Sequence, residues 1–157
     1  MTRSALVERP IDPAALLREV ADSSHGATVL FLGTVRDVND GRPVTGIDYR
    51  AYPAMAESEM AAIVREAAER FGTASVVAEH RIGRLDLQEI SVAIAVAHPR
   101  RTTAYEASRY VIEEIKRRVP IWKMEHYVDG TREWVDPSTT GTRHEARGTR
   151  DEAGVGD

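Results

Sequence analysis

The chain of 157 residues contains no cysteine. This absence excludes disulfide bonds, thiolate nucleophiles and metal sites built on cysteine. The five histidines do not supply the usual metal-ligand spacing either, because no H-x-x-x-H or similar pattern occurs. We therefore expect no metal site, and no motif indicates a bound cofactor. The histidines are His25, His80, His98, His126 and His144.

Other absences narrow the class of protein. The net charge is −4, whereas proteins that follow nucleic-acid phosphates are usually basic. No apolar run approaches the length of a membrane span, and the N-terminal MTRSALVERP has no signal-peptide core. A cytoplasmic location is the expectation. The nucleotide-binding patterns G-x-x-x-x-G-K-[ST] and G-x-G-x-x-G are also absent.

Hydrophobic residues make up 42% of the chain, which is enough for one domain with a sizeable core. Periodicity and turn signals predict an α+β fold with tight turns rather than a doubly wound parallel sheet. The predicted helices are a short one after Asp12-Pro13, a long one over 54–71, and one that starts at the capping-box pair Thr103 and Glu106. The predicted strands are 26–35, 44–52, 74–82, 89–97 and 121–128, with a last strand after the hairpin signal Asp129-Gly130.

The domain is predicted to end at residue 136. Residues 137–157 are rich in Thr, Gly, Arg and Glu and contain almost nothing apolar. That composition predicts a polar, flexible C-terminal tail. The polar segment after Arg36, DVNDGRP, is predicted to be a mobile loop.

The stretch IKRRVPIWKME, residues 115–125, carries most of the functional signal. Proline disrupts a helix, so the helix before Pro120 should end near Arg118 and a strand should follow. Lys116 then lies in the last helical turn and Lys123 near the start of the strand. Each lysine alone has a structural explanation, as a partner of the helix dipole or as protection of a sheet edge. The pair around one proline favours a site.

The two elements also have predicted faces. On the helix, Tyr105, Ser108, Ile112 and Ile115 recur at helical spacing, and Lys116 lies at the edge of that buried face. On the strand, alternation places Lys123 and Glu125 on one side and Trp122 on the other.

Three arginines extend the positive charge. Arg36 closes an apolar strand at its exit into a loop, a usual place for a binding residue. Arg100 and Arg101 follow His98-Pro99 and lead into a helix N-terminus, where cations beside free N–H groups make an anion pocket. The alternative is that these arginines reach solvent or pair with acids such as Glu106. If they join the lysines, a small phosphorylated or carboxylated substrate is indicated.

Mutual repulsion between the two lysines would lower the pKa of one of them. Two amines about 6 Å apart at an effective dielectric near 20 repel by about 2–3 kcal/mol, or roughly two pKa units. One amine would then have a neutral fraction that can act as a base or nucleophile. Glu125 opposes this shift, and the sequence leaves open which lysine is affected.

The chain resembles the large, catalytic subunits of molybdopterin synthases over about residues 26–135. The segments that carry the resemblance are GATVLFLGTVR, YPAMAESEMAAIVREA, HRIGRL, AYEA and KRRVPIWKME. The resemblance implies an α/β-hammerhead-type fold with a mixed, largely antiparallel sheet and flanking helices. It also implies a homodimer that binds two copies of a small ubiquitin-like sulfur-carrier subunit, forming a heterotetramer.

The resemblance further implies a sulfurtransferase reaction. The carrier inserts its C-terminal Gly-Gly thiocarboxylate, and two sulfurs pass to cyclic pyranopterin monophosphate to form the dithiolene of molybdopterin. Lys116 and Lys123 match the essential lysines of the family. The resemblance assigns substrate contacts to Phe31, Thr34, Val35, Arg36, His98, Arg100, Arg101, Met124 and Glu125.

Three positions depart from the family pattern. Thr34 replaces a basic residue, and Arg100 holds the position expected for a histidine, so His98 is a possible substitute. Leu87-Gln88 replaces a turn usually built on glycine. These departures affect the expected contacts to phosphate more than the expected sulfur-transfer reaction.

Two other functions are compatible with the residues. One is a non-catalytic α+β module that senses an anionic metabolite, which explains the arginines but gives Lys123 no role. The other is a lysine Schiff-base enzyme, which trapping with borohydride would reveal.

Overall fold

The computed structural model describes residues 1–72 and 74–135, which form three helices and nine strands. The helices are α1 (Pro13–Val20), α2 (Pro53–Phe71) and α3 (Arg101–Arg118). The strands are β1 (Thr2–Val7), β2 (Ala27–Thr34), β3 (Val38–Asn39), β4 (Arg42–Ala51), β5 (Ser75–Arg81), β6 (Gly83–Asp86), β7 (Ile90–His98), β8 (Ile121–Tyr127) and β9 (Arg132–Val135).

The strands form two sheets. The first has four strands in the order β1-β5-β7-β2, and the second has the order β3-β4-β8-β9 with β6 paired to β4. Only the β1–β5 pairing among these described strands is parallel. The prediction of an α+β fold with a mixed, largely antiparallel sheet is therefore confirmed.

The central strands β5 and β7 are covered by helices on both faces. Alternate side chains point to opposite sides of a strand, so each strand supplies two cores. Val76 and Ile94 belong to the core under α2 and α3, whereas Val77 and Ala95 belong to the core under α1. Burial on both faces explains why these strands are continuous apolar runs in the sequence.

Most predicted elements are confirmed, with small shifts at their ends. The short first helix, the long second helix, the end of the third at Arg118 and the final hairpin are all present. Three strands were not predicted, because β1 is half-exposed, β3 has two residues and β6 is short and polar. The loop after Arg36 thus contains a strand, β3, which pairs with β4.

Two predictions for α3 are wrong. The helix begins at Arg101 without a side-chain cap, two residues before the predicted capping-box threonine. The chain turns directly from β7 into the helix, so only Pro99 and Arg100 separate them. Tyr105 is 65% exposed, whereas Ser108 and Ile115 are buried as predicted, and the buried face is completed by Ala104, Ala107 and Val111. The alanines let α3 pack closely against its neighbours.

The unusual turn before β7 has the geometry that the sequence suggested. Gln88 has a φ of 72°, a left-handed conformation that glycine adopts most easily. Its N–H donates to the Val35 carbonyl at 2.8 Å. The backbone thus keeps a conformation typical of glycine although the residue is glutamine.

In the described ranges, no helix is both long enough and apolar enough to cross a bilayer. The predicted domain boundary at 136 and the predicted tail of residues 137–157 lie outside the described residues.

Candidate active site

The junction between α3 and β8 brings the two lysines to one place. After Arg118, the Val119 N–H still donates to the Ile115 carbonyl, and β8 begins immediately after Pro120. Lys116 is therefore in the last turn of α3. Lys123 pairs in register with Tyr49 of β4, and directly opposite residues of an antiparallel pair share a face of the sheet.

A pocket opens at this junction. Its enclosed volume is about 40 Å³, which suits a small group or a few water molecules. Its lining is mostly apolar on the α3 side and polar at the strands. The lining residues are Tyr49, His80, Ser91, Val92, Ile112, Ile115, Lys116, Val119 and Ile121.

The pKa of Lys116 is lowered from its usual value. The first cause is burial of the amine by the surrounding protein, followed by the charge of Lys123 and then that of Arg36. Part of the Lys116 side chain remains exposed at the pocket mouth, so burial is incomplete. Burial, together with the charges of Lys123 and Arg36, gives Lys116 a larger neutral fraction near neutral pH than an isolated lysine has.

Lys123 is held differently. Its Nζ lies 2.6 Å from Oε2 of Glu125, and this carboxylate is 1% exposed. The prediction that these two side chains share a face is confirmed. Among the described residues, the other oxygen, Oε1, has no hydrogen-bond partner although it is buried. Glu125 thus balances the charge of Lys123.

The predicted contact residues in β2 and directly after it have different surroundings. Arg36 is exposed and near enough for its charge to lower the pKa of Lys116. Val35 is buried with Ile47 and Leu85, so its side chain supports the second sheet. Thr34 is exposed at the end of β2, and Phe31 packs against the main core.

Arg100 and Arg101 lie at the opposite end of α3. Fifteen residues separate Arg101 from Lys116, which at 1.5 Å per residue is about 22 Å. Both arginines are exposed. Within one protomer they cannot act on the same small group as the lysines.

His98 has a structural role in this chain. One ring nitrogen, Nε2, is 3.0 Å from the Phe71 carbonyl oxygen, and the other accepts the N–H of Arg100 at 3.0 Å. A carbonyl only accepts, so Nε2 carries the proton. A ligand could reach this ring only by replacing one of these bonds.

Met124 lies on the face of β8 opposite Lys123 and Glu125. It pairs with Asp48 on one side and Trp134 on the other. Its side chain is therefore directed away from the lysines, although its backbone adjoins Lys123.

Sequence reasoning missed three polar residues of the pocket, namely Tyr49, His80 and Ser91. They come from different strands, and the chain gives no spacing that links them. The one available signal was a histidine at the end of the apolar run SVVAEH, within the HRIGRL segment. Burial raises the pKa of Tyr49, and its ring meets the His80 ring edge-on at 5.1 Å.

Among the described residues, no three or more His, Asp and Glu side chains are grouped to hold a metal ion.

Comparison with known proteins decides the family. The model of the MoaE protein family matches residues 6–118. The chain belongs to the MoaE family. The molybdopterin synthase catalytic subunit of Halalkalibacterium halodurans is 46% identical over 133 residues, or 85% of each chain. That of Bacillus subtilis is 41% identical over 135 residues, or 86% of this chain and 85% of the relative.

Solved structures agree with the MoaE assignment. A crystal structure of molybdopterin synthase from Staphylococcus aureus matches with a TM-score of 0.79 and 38% identity, covering 83% of this chain and 95% of the other. The fold also occurs in a complex of subunits 1 and 2 of molybdopterin-converting factor from Helicobacter pylori, with a TM-score of 0.69 and 21% identity over 84% of this chain and 89% of the other. The family is one of sulfurtransferases in molybdenum cofactor biosynthesis.

Proposed function

We propose that this MoaE-family chain is a molybdopterin synthase catalytic subunit that transfers two sulfurs to cyclic pyranopterin monophosphate. The sulfurs arrive on the C-terminal thiocarboxylate of a small, ubiquitin-like sulfur-carrier subunit. The observation that carries the proposal is that Lys116 lines a pocket beside Pro120 and that Lys123 is close enough for its charge to lower the pKa of Lys116. The lack of cysteine is consistent with it, because the chain has no thiol to relay sulfur.

The two amines are suited to different tasks. Lys116 has a lowered pKa, so it can release and take up a proton during the reaction. Lys123 is fixed by its ion pair with Glu125 and offers a positioned cation for an anionic reacting group. Arg36 adds a second exposed cation for the thiocarboxylate or the pterin phosphate.

The distant arginines support a site shared between two protomers. Arg100 and Arg101 are about 22 Å from Lys116 along α3, so they can contribute to this pocket only from a second copy of the chain. We propose a homodimer with one carrier at each end, which makes a heterotetramer. Arg100 and Arg101 then clamp phosphate or the carrier's terminus from the neighbouring protomer. We further expect this assembly to work in the cytoplasm.

Reconstitution tests the function directly. Purified chain, thiocarboxylated carrier and cyclic pyranopterin monophosphate should together yield molybdopterin, with two carriers consumed per product. Carrier that ends in an ordinary carboxylate is the matched control and should give no product. Tight binding of the pterin without turnover, and without carrier binding, would contradict the proposal and favour a metabolite sensor.

A further inference from the structure

His80 is a pocket residue for which the reaction described above has no role. It lies on β5 and is only 7% exposed. Its Nδ1 is 2.8 Å from the Arg81 carbonyl oxygen. Because a carbonyl can only accept, Nδ1 carries the proton of the neutral ring, and Nε2 is left as an acceptor.

The ring is also fixed in orientation. The Tyr49 ring meets it edge-on, with centroids 5.1 Å apart and planes inclined by 77°. His80 and Lys116 line the same pocket. Within the described residues, no protein group bonds to Nε2, and this atom is not among the fully buried polar atoms that lack a partner, so it is open to the pocket that the ring lines.

The ring stays neutral in this environment. Burial lowers the pKa of His80 to about 4; the bond to the Arg81 carbonyl opposes this effect and the charge of Lys116 adds to it. The nearby Ser91 hydroxyl donates to the Gly33 carbonyl at 3.2 Å. The pocket therefore offers a charge-free acceptor beside cations, a combination suited to a neutral N–H or O–H group.

We propose that His80 is a ligand-binding residue whose Nε2 accepts a hydrogen bond from an N–H or O–H group that enters the pocket past Lys116. The identity of the donor rests on the proposed function, in which two molecules can supply it. One is the pterin, through a ring N–H or a hydroxyl. The other is the carrier tail, through a backbone amide. The volume of about 40 Å³ suits such a small group.

Two substitutions separate the acceptor from the structural bond. In His80→Asn, the amide N–H takes the place of Nδ1 and can still donate to the Arg81 carbonyl. The same substitution removes the acceptor from the pocket. His80→Gln places an amide oxygen near the position of Nε2 and gives up the Arg81 bond. We expect His80→Asn to weaken ligand binding about tenfold with kcat changed less than twofold, and His80→Gln to recover most of the affinity.

The measurements distinguish the two donors. A tenfold rise in KM for cyclic pyranopterin monophosphate alone identifies the pterin, and a tenfold rise in the calorimetric Kd of the carrier alone identifies the tail. Either result supports the proposal. In wild-type protein, the ¹⁵N resonance of the His80 Nε2 should shift when that ligand is added, which a purely structural histidine would not show.

Other results would contradict the proposed role of His80. If His80→Asn unfolds at the wild-type temperature and keeps both constants, Nε2 does not bind the ligand. A fall in kcat alone would show that His80 acts through Lys116 and does not bind the ligand directly. If His80→Asn fails to fold, an unshifted Nε2 resonance in the wild type is decisive against the proposal. Absence of turnover by wild-type protein would instead contradict the proposed function, and the resonance would still test acceptor binding.

Discussion

Replacement of Lys116 by alanine is expected to reduce molybdopterin formation at least 100-fold. Proton transfer by a positioned side chain typically contributes about 10²–10⁴-fold to a rate, and Lys116 is the amine with the lowered pKa. Lys116→Arg should fail as well, because a guanidinium stays protonated at any working pH. The measurement is product formed per minute with saturating thiocarboxylated carrier.

The neighbouring residue gives a matched control. Arg117 is on the same helical turn, is exposed and pairs with Glu114 at 2.5 Å. Arg117→Ala should retain activity within about twofold. Both variants should change the free energy of unfolding by about 0.5 kcal/mol or less, as is usual for surface substitutions. Full activity of Lys116→Ala would remove the proposed site.

Replacement of Lys123 should cost both activity and stability. Lys123→Met leaves the 1% exposed carboxylate of Glu125 without its cation. Breaking a buried ion pair from one side typically destabilises by about 3–5 kcal/mol. We expect about 3 kcal/mol, the lower end, because the Lys123 side chain is 14% exposed. Denaturant unfolding of the variant measures this difference.

A second substitution separates the two effects. Lys123→Met combined with Glu125→Gln removes the unpaired charge, so most of the lost stability should return while activity stays low. The pKa of Lys116 should rise in the single variant Lys123→Met, because a like charge that lowers it is gone while the Glu125 carboxylate remains. Titration of ¹³C-labelled lysine by NMR follows this change. Recovery of activity together with stability would show that Lys123 serves the fold alone.

The sequence predicted the local part of the site well. Pro120 determines where α3 ends and β8 begins, so the positions of Lys116 and Lys123 followed from their distance along the chain. The shared face of Lys123 and Glu125 followed from strand alternation, which depends on a period of two residues. Where the geometry of the site depends on a few adjacent residues, the local sequence pattern was sufficient to predict it.

Long-range placement was not predictable in the same way. Tyr49, His80 and Ser91 reach the pocket of Lys116 from three strands, β4, β5 and β7. The order of strands in a sheet does not follow from any local sequence pattern. Arg101 illustrates the reverse case. It begins the same helix that ends just after Lys116, yet the length of that helix places it about 22 Å away.

The errors in the predicted elements have two different causes. The capping-box spacing of Thr103 and Glu106 occurs inside α3, because the turn from β7 had already started the helix at Arg101. Strand β1 has few fully apolar residues, and its pairing with β5 is a long-range contact. Neither feature has a signature that a short window of sequence could reveal.

The most direct test is a structure of the chain in complex with its sulfur carrier. The account predicts that the carrier's C-terminal carbon lies within about 4 Å of the Lys116 Nζ, with the Lys123 Nζ facing the same pocket. A tail that ends elsewhere, or two amines on opposite surfaces of the assembly, would contradict it.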